Sequence, residues 1–328
     1  MSQVNEISFY GVPPAAGPID GYSYAGLKIV TTLNKLGIDT PWRDEKSPFS
    51  VSFCQPDWYS QSENQYRIGY TPWESTKIPA HWVSHMNNMD WMWTTSGWCK
   101  QVLVDNGVTN DILVVPHGID SKDWTISKRV KRNKFTFFHL GEPATRKNGQ
   151  MVVDAFVKLF NRNPNVNLLI KANGYTETRL KDPFGPVTAH PRIKVITERL
   201  PIEQLNGLFH SVHCLVYPSN GEGFGLIPFQ GIATGLPTIL VNWSGVEEFG
   251  EYGIPIDYKV ASSSHDYHIG EWAFPDFDSL CEQMEKVYIE YEDFSSQAYQ
   301  NGLLLREKFG WRDILSRAVK ELELRIKS

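Results

Sequence analysis

Two turns carry most of the chemistry open to this chain, each set between a β-like run and a helix-like run. The first is Ser219–Pro237, SNGEGFGLIPFQGIATGLP. Gly221, Gly223 and Gly225 let backbone amides approach an anion, and a helix opening there adds the positive end of its dipole. Glu222 projects from the same turn, beside the place a diphosphate would take. A carboxylate there can accept hydrogen bonds from sugar hydroxyls. The second is His139–Gly149, HLGEPATRKNG. Arg146 and Lys147 stand at a helix start, an unfavourable position for cations unless an anion is shared. Each turn alone has a plainer reading: a tight turn for the glycines, a solvated pair for the cations. Together they supply two parts of a site for a phosphate-bearing ligand.

Alternating strands and helices must position these turns. Ile7–Tyr10, Val51–Cys54, Tyr66–Tyr70, Met92–Thr95 and Ile112–Val115 read as strands, with helices over Tyr24–Leu36 and Gly97–Asn106. Ser121–Asn133 is polar and basic and reads as a solvated linker. The pattern then restarts. Strands are expected at Phe135–Leu140, Val166–Lys171, Arg192–Ile196, His213–Tyr217 and Pro237–Val241. Helices are expected at Gln150–Asn161, Pro201–His210 and Pro228–Thr234, and Val153, Phe156, Val157 and Phe160 share one face of the first of these. Three more helices end the chain, Asp278–Glu290, Ser295–Phe309 and Arg312–Ile326. The alternation predicts an α/β protein of two Rossmann-like doubly wound domains facing a central cleft, with C-terminal helices packing back toward the N-terminal domain. The expected boundaries are 1–125, 126–310 and a last helix over 311–328. In open α/β sheets ligands sit at the carboxyl ends of the strands, where both turns lie.

Composition narrows the classes further. The 328 residues include 32 Lys+Arg and 37 Asp+Glu, a net charge of −5. A mildly acidic chain is not a bulk electrostatic binder of nucleic acid or of anionic membrane. Cys54, Cys99, Cys214 and Cys281 are isolated in sequence, which gives no zinc signature and fits a reducing compartment. There is no apolar run of about 18 residues and no basic-then-apolar leader, so a cytoplasmic location is expected without stable membrane insertion. His265 and His268 are three apart without a third ligand nearby, and no metal site is expected. Seven of the 11 tryptophans lie between Trp42 and Trp98. That stretch either stacks sugars or bases or packs an interior.

GEGFGLIPFQGIATGLPTI resembles the signature of retaining glycosyltransferases of family 4, the group 1 glycosyl transferases with the GT-B fold. Three stretches extend the resemblance in the right order. VVPHGIDSKDW is similar to the family's interdomain segment, RKNGQMVVDAFVKL to its phosphate-binding loop and helix, and KFGWRDILSRAVKELE to its closing Trp helix. IGYTPWESTKIPAHWVSHMNNMDWMWTTSGWCKQVL is similar to the N-domain of a subgroup. The resemblance is specific over about 112–250, weaker over 66–103 and topological over 1–60.

The resemblance implies that the N-terminal domain faces the acceptor and that the C-terminal domain binds a nucleotide sugar. It places Glu222 at the donor sugar near the reaction centre, Gly223, Phe224 and Gly225 along the sugar and diphosphate, and Lys147 against the leaving diphosphate. Arg146 is expected to add a second cation. Glu74 falls where N-domain loops face the acceptor and is expected to take part in catalysis. Gly17 and Gly21 match the first glycine-rich loop, and His85 and His117 are expected to line the acceptor side or the cleft. Two positions depart from the family. Gln230 stands where a second glutamate usually binds ribose hydroxyls, so the charge-assisted bond is lost there. Glu142 stands where an arginine is usual. The implied activity is transfer of a sugar, with retention, from a nucleotide diphosphate sugar to a hydroxyl. UDP is the first choice of nucleotide and a glycan or cell-envelope molecule the first choice of acceptor. The donor is a co-substrate, and no other cofactor is expected. One alternative is transfer to a hydroxymethylated base in DNA, with Lys128–Lys134 touching phosphates. Another is a nucleotide-sugar-binding protein without catalysis, which Gln230 motivates.

Overall fold

The computed structural model describes residues 4–12, 20–63, 65–130, 133–141, 145–172, 181–182, 185–186, 190–263 and 265–327. The chain divides into two compact units. The first comprises Met1–Gly118, Ser262–Glu271 and Phe309–Ser328, and the second Ile119–Ala261 and Trp272–Lys308.

The first unit is built on five parallel strands: β1 (Ser8–Tyr10), β2 (Phe49–Phe53), β3 (Tyr66–Tyr70), β4 (Trp91–Thr94) and β5 (Ile112–Val114), side by side in that order. Two parallel bridges, Glu6 with Asp39 and Phe9 with Trp42, extend the sheet beyond β1. The chain therefore leaves β1 toward one side, over residues 39–42, and returns to its other side as β2. That reversal makes the carboxyl ends around β1 a topological switch point. Helix α1 (Gly21–Lys35) opens with a capping box, in which Asp20 Oδ1 accepts from the Ser23 amide and Ser23 Oγ from the Asp20 amide, each at 2.8 Å. Its apolar face buries Ile29, Val30 and Leu33. Helix α2 (Ala80–Asn87) was not foreseen; it is two turns long and buries Trp82 and Met86, four residues apart. Helix α3 (Gly97–Asp105) is capped by Ser96, whose Oγ accepts from the Cys99 amide at 3.0 Å.

The Trp-rich stretch is mainly interior. Trp73, Trp82, Trp91 and Trp93 are all buried, three of them at most 2% exposed. Trp73 and Trp82 pack in one cluster with Met86, Met92 and Leu103, and Trp93 packs against Trp91 and Tyr70, so the area of these four is spent on the interior rather than on stacking sugars or bases.

The second unit holds six parallel strands. They are β6 (Phe135–Leu140), β7 (Val166–Lys171), β10 (Ile193–Ile196), β11 (Cys214–Tyr217), β12 (Thr238–Val241) and β13 (Ile254–Ile256), with a two-residue ladder β8 (Lys181–Asp182) and β9 (Gly185–Pro186) lying between β7 and β10 in sequence. The order across the sheet is β10-β7-β6-β11-β12-β13. Connections run one way from β6 through β7 to β10, then jump back to β11 and run the other way. The switch point is between β6 and β11. Helices α4 (Gly149–Phe160), α5 (Ile202–Ser211), α6 (Leu226–Ala233), α7 (Phe277–Ile289) and α8 (Tyr291–Lys308) complete this unit. A hairpin of β14 (Tyr258–Ser262) and β15 (Glu271–Pro275), absent from the sequence expectations, follows β13. The last helix, α9 (Trp311–Arg325), belongs to the first unit, where α1 packs on it.

Ser121–Asn133 is less solvated than its composition predicts. Arg129 is buried and donates to the Phe209 carbonyl at 2.7 Å and the Thr234 carbonyl at 3.0 Å. It therefore acts as a clamp for its own unit and is unavailable to DNA phosphates. Lys131 and Arg132 lie outside the described residues. No helix among the described residues is long and apolar enough to cross a membrane.

Candidate active site

The loops after β6 and β11 meet at the switch point of the second unit. Arg146 and Lys147 occupy a single 3-10 turn over Thr145–Lys147. Asn148 follows in the left-handed region, φ 52°, where Asn is tolerated better than most side chains. There it starts α4 and donates from Nδ2 to the Pro218 carbonyl at 2.8 Å. The Asn220 amide donates to the Arg146 carbonyl at 2.8 Å. Backbone and side chain thus bind the two loops into one piece.

Glu222 is the focus of that piece. Its Oε1 accepts from Lys147 Nζ, from Ser219 Oγ at 2.6 Å and from Tyr217 OH at 3.0 Å. Arg146 Nη1 lies 3.2 Å from the same oxygen. Burial alone would raise this carboxyl's pKa; Lys147 and Arg146 outweigh it and, with the Lys147 and Ser219 hydrogen bonds, hold it at about 2. The carboxylate is therefore charged throughout the physiological range, and its two cations stay desolvated beside it.

The segment after β12 fixes this loop from the other side. Ser244, at φ 62°, accepts from the Glu222 amide at 2.9 Å, and the Gly245 amide donates to the Glu222 carbonyl at 2.8 Å. A side chain on Gly245 would collide with the Gly223 carbonyl. Gly225, at φ 92°, caps the start of α6. Phe224 packs against Phe229 and Phe249, with ring centroids 5.0 and 5.2 Å away. Gln230 is buried within α6.

Sequence reasoning passed over Tyr217, Ser219 and His139 as chemical groups. His139, at the end of β6, donates from Nδ1 to the Val216 carbonyl at 2.9 Å and stacks on Tyr217. Burial, with Lys147 adding to it, lowers its pKa to about 4 against the raising effect of the Val216 bond. Ser244 and Gly245 were also missed. Their only sequence signal is a Ser-Gly pair two residues after a strand.

The remaining expected residues lie in the first unit. Glu74 Oε2 is 3.2 Å from His268 Nε2, and the His268 ring lies 5.1 Å from that of Trp73. His268 comes from the hairpin segment assigned to this unit. His85 and His81 both approach Asp57 Oδ1, at 3.5 and 3.1 Å. His117 is buried among the rings of Phe53, Tyr70 and Trp311, and burial lowers its pKa to about 3. Gly21 is the first residue of α1. Gly17 and Glu142 lie outside the described residues.

Residues 120–253 match the family model described as glycosyl transferases group 1. The two loops at the β6–β11 switch point fall inside that match. In that segment the chain is similar to the group 1 glycosyl transferases. Among curated proteins, the D-inositol 3-phosphate glycosyltransferase of Paenarthrobacter aurescens is 27% identical over 262 residues, covering 75% of this chain and 54% of that protein. The chain spans about half the length of the curated relatives it matches. Among solved structures, Anabaena HepE in complex with UDP-glucose has a TM-score of 0.73 at 13% identity, covering 97% of this chain and 99% of that one. The pneumococcal O-GlcNAc transferase GtfA, in complex with UDP and GlcNAc, has a TM-score of 0.63 at 17% identity and covers 85% of this chain and 57% of that one. These likenesses give the chain the GT-B fold, two parallel-sheet α/β units, as the strand–helix alternation predicts.

Proposed function

We propose that this chain transfers a sugar from a nucleotide diphosphate sugar, with UDP as the nucleotide, to a hydroxyl of a glycan acceptor, with retention at the sugar and without a metal ion. The observation that carries the reading is the convergence of Lys147 and Arg146 on Glu222 at the β6–β11 switch point. Two cations held by one buried carboxylate are poised to exchange it for a stronger anion. On donor binding the diphosphate takes Lys147 and Arg146, and Glu222 is freed to accept hydrogen bonds from sugar hydroxyls. In the reaction a bond forms between the acceptor oxygen and the anomeric carbon. The bond to the diphosphate oxygen breaks, and the acceptor's proton leaves with the diphosphate. Lys147 and Arg146 neutralise that leaving group as charge builds on it, which is where fixed charges contribute most. They fill the part a divalent cation would otherwise take. The UDP-glucose and UDP complexes of HepE and the UDP complex of GtfA support UDP as the nucleotide.

The test is thermal shift with nucleoside diphosphates, followed by UDP release from UDP-glucose, UDP-galactose and UDP-GlcNAc in EDTA. Stabilisation by millimolar UDP and slow EDTA-resistant release are expected. If no nucleoside diphosphate shifts the melting curve, the donor assignment falls. Binding without release from any donor leaves a carrier rather than an enzyme.

A further inference from the structure

A diphosphate that draws Lys147 and Arg146 to itself leaves Glu222 as a carboxylate in the protein interior, where burial favours the neutral form. Such a group serves a sugar only if it stays charged and stays aimed. Two neutral donors remain on the same oxygen, Ser219 Oγ at 2.6 Å and Tyr217 OH at 3.0 Å. Both belong to β11 and the loop that carries Glu222 itself, whereas the two cations come from the loop after β6.

The two hydroxyls differ in how firmly they are held. Ser219 Oγ also lies 3.3 Å from the carbonyls of Arg146 and Gly221, so its proton has other acceptors within reach. The Tyr217 hydroxyl sits on the axis of its ring, so a ring flip does not move it. That ring is 2% exposed, and the His139 imidazole stacks on it with centroids 6.2 Å apart and 26° between the planes. His139 is pinned in turn by its bond from Nδ1 to the Val216 carbonyl, at 2.9 Å. Lys147 Nζ lies 5.2 Å from the centroid of the same phenol ring and donates to its hydroxyl at 2.6 Å. The hydroxyl thus accepts from the cation and donates to the carboxylate, and loss of the first bond leaves the second in place. A side chain on Gly141 would press on Lys147 Cβ and His139 Nε2, at 3.2 and 3.3 Å, and glycine leaves the lysine stem clear beside the imidazole.

We infer that Tyr217 is a positioning residue for the donor sugar: its hydroxyl keeps Glu222 charged and in place once Lys147 and Arg146 have turned to the diphosphate, and the His139 ring fixes the phenol. A hydrogen bond to a charged acceptor is among the stronger kinds, so one rigid donor has a measurable effect. The inference rests on the proposed donor reaction and gives a part in it to a group that acts only through Glu222.

Calorimetry on the full chain tests it, with UDP and with whichever of UDP-glucose, UDP-galactose and UDP-GlcNAc binds tightest. Tyr217→Phe keeps the ring and its stack on His139, so the fold should persist. It should weaken the UDP-sugar about tenfold and UDP itself by less than about twofold, a split that a general loosening of the loops would not produce. His139→Phe, which keeps a flat ring against the phenol, should retain the wild-type ratio of the two affinities better than His139→Ala. Equal weakening of UDP and UDP-sugar in Tyr217→Phe would put the hydroxyl in the diphosphate site and overturn the assignment. Unchanged binding of both would overturn it too, leaving Glu222 to Ser219. A His139→Phe protein no better than His139→Ala would remove the part given to the imidazole. Wild-type protein that binds no nucleoside diphosphate loses the donor reading itself, whereas wild-type protein that binds the UDP-sugar and a Tyr217→Phe protein that matches it lose this inference alone.

Discussion

Lys147 and Glu222, 75 residues apart in sequence, form an ion pair between the loops after β6 and β11. Lys147 also donates to Tyr217 OH at 2.6 Å, and that hydroxyl in turn donates to Glu222. Removing the ammonium leaves a buried carboxylate with Arg146 as its remaining cation. Lys147→Ala is therefore expected to destabilise the fold by about 3–5 kcal/mol, the usual effect of stripping one partner from a buried pair. On the proposed reaction it should lower kcat/KM for the sugar donor by about 10²–10³. Urea unfolding measures the first effect and UDP release the second. His268→Ala, in the first unit, serves as the comparison. If it lowers UDP release in the absence of acceptor as much as Lys147→Ala does, the cations have been given the wrong role.

Stability should fall in two steps as pH drops. His117 and His139 have pKa values lowered by burial to about 3 and about 4, whereas in the unfolded chain both take up a proton near 6.5. Between 6.5 and 4 the unfolded state binds more protons, so stability decreases with falling pH, by up to about 1.4 kcal/mol per unit for each histidine. Glu222 acts lower. Its pKa is depressed from 4.5 to about 2, so its contribution is complete above 4.5 and is lost toward 2. Urea midpoints taken from pH 7 to 3 should show the first step, and His117→Gln should make it shallower. An unchanged slope in that variant would mean that His117 is not held neutral in the folded protein.

Two glycine substitutions should act with opposite signs. An alanine methyl at Gly245 would meet the Gly223 carbonyl and push apart the segments that hold Glu222. Gly245→Ala is expected to cost about 1–3 kcal/mol, as overpacking does, and to weaken UDP binding. Gly207 lies inside α5, with nothing within 4 Å of its would-be side chain. Gly207→Ala should instead stabilise by about 0.5–1 kcal/mol. Paired urea titrations check both, and a neutral Gly245→Ala would show that the loop yields.

The loops proposed to hold the donor were legible because short-range chemistry marks them. Glycines at 221, 223 and 225 and the adjacent cations at 146 and 147 punctuate strand-to-helix turns, and the strand–helix alternation gave both sheets. What stayed hidden depends on distance along the chain or on burial. Glu74 meets His268 from 194 residues away, across a hairpin whose β14 strand is exposed and carries no apolar alternation to announce it. Helix α2 was hidden because eight residues with two buried side chains leave little periodicity to read. Arg129 read as solvated because its neighbours are basic, yet two carbonyls from distant segments satisfy it inside the unit. Of the 11 tryptophans, composition could not say which face water; the fold buries Trp82 and Trp93 and leaves Trp42 and Trp58 out.

Gln230 offers a test of how the nucleotide is held. It sits in α6, one helical register beyond the Glu222 loop, and takes the place of the glutamate that the family resemblance assigns to the ribose hydroxyls. A glutamine oxygen accepts a hydrogen bond without charge assistance, and charged acceptors are stronger by roughly a factor of two. Gln230→Glu should therefore tighten UDP binding by about fivefold in calorimetry. It should leave inorganic pyrophosphate binding unchanged, because that ligand has no ribose to meet the new carboxylate. The side chain is buried, so the new charge also carries a desolvation cost that the ribose hydroxyls have to offset. Equal changes for the two ligands would mean that residue 230 acts on the diphosphate through the field of α6. Weaker UDP binding alone would mean that the ribose is bound by another part of the loop.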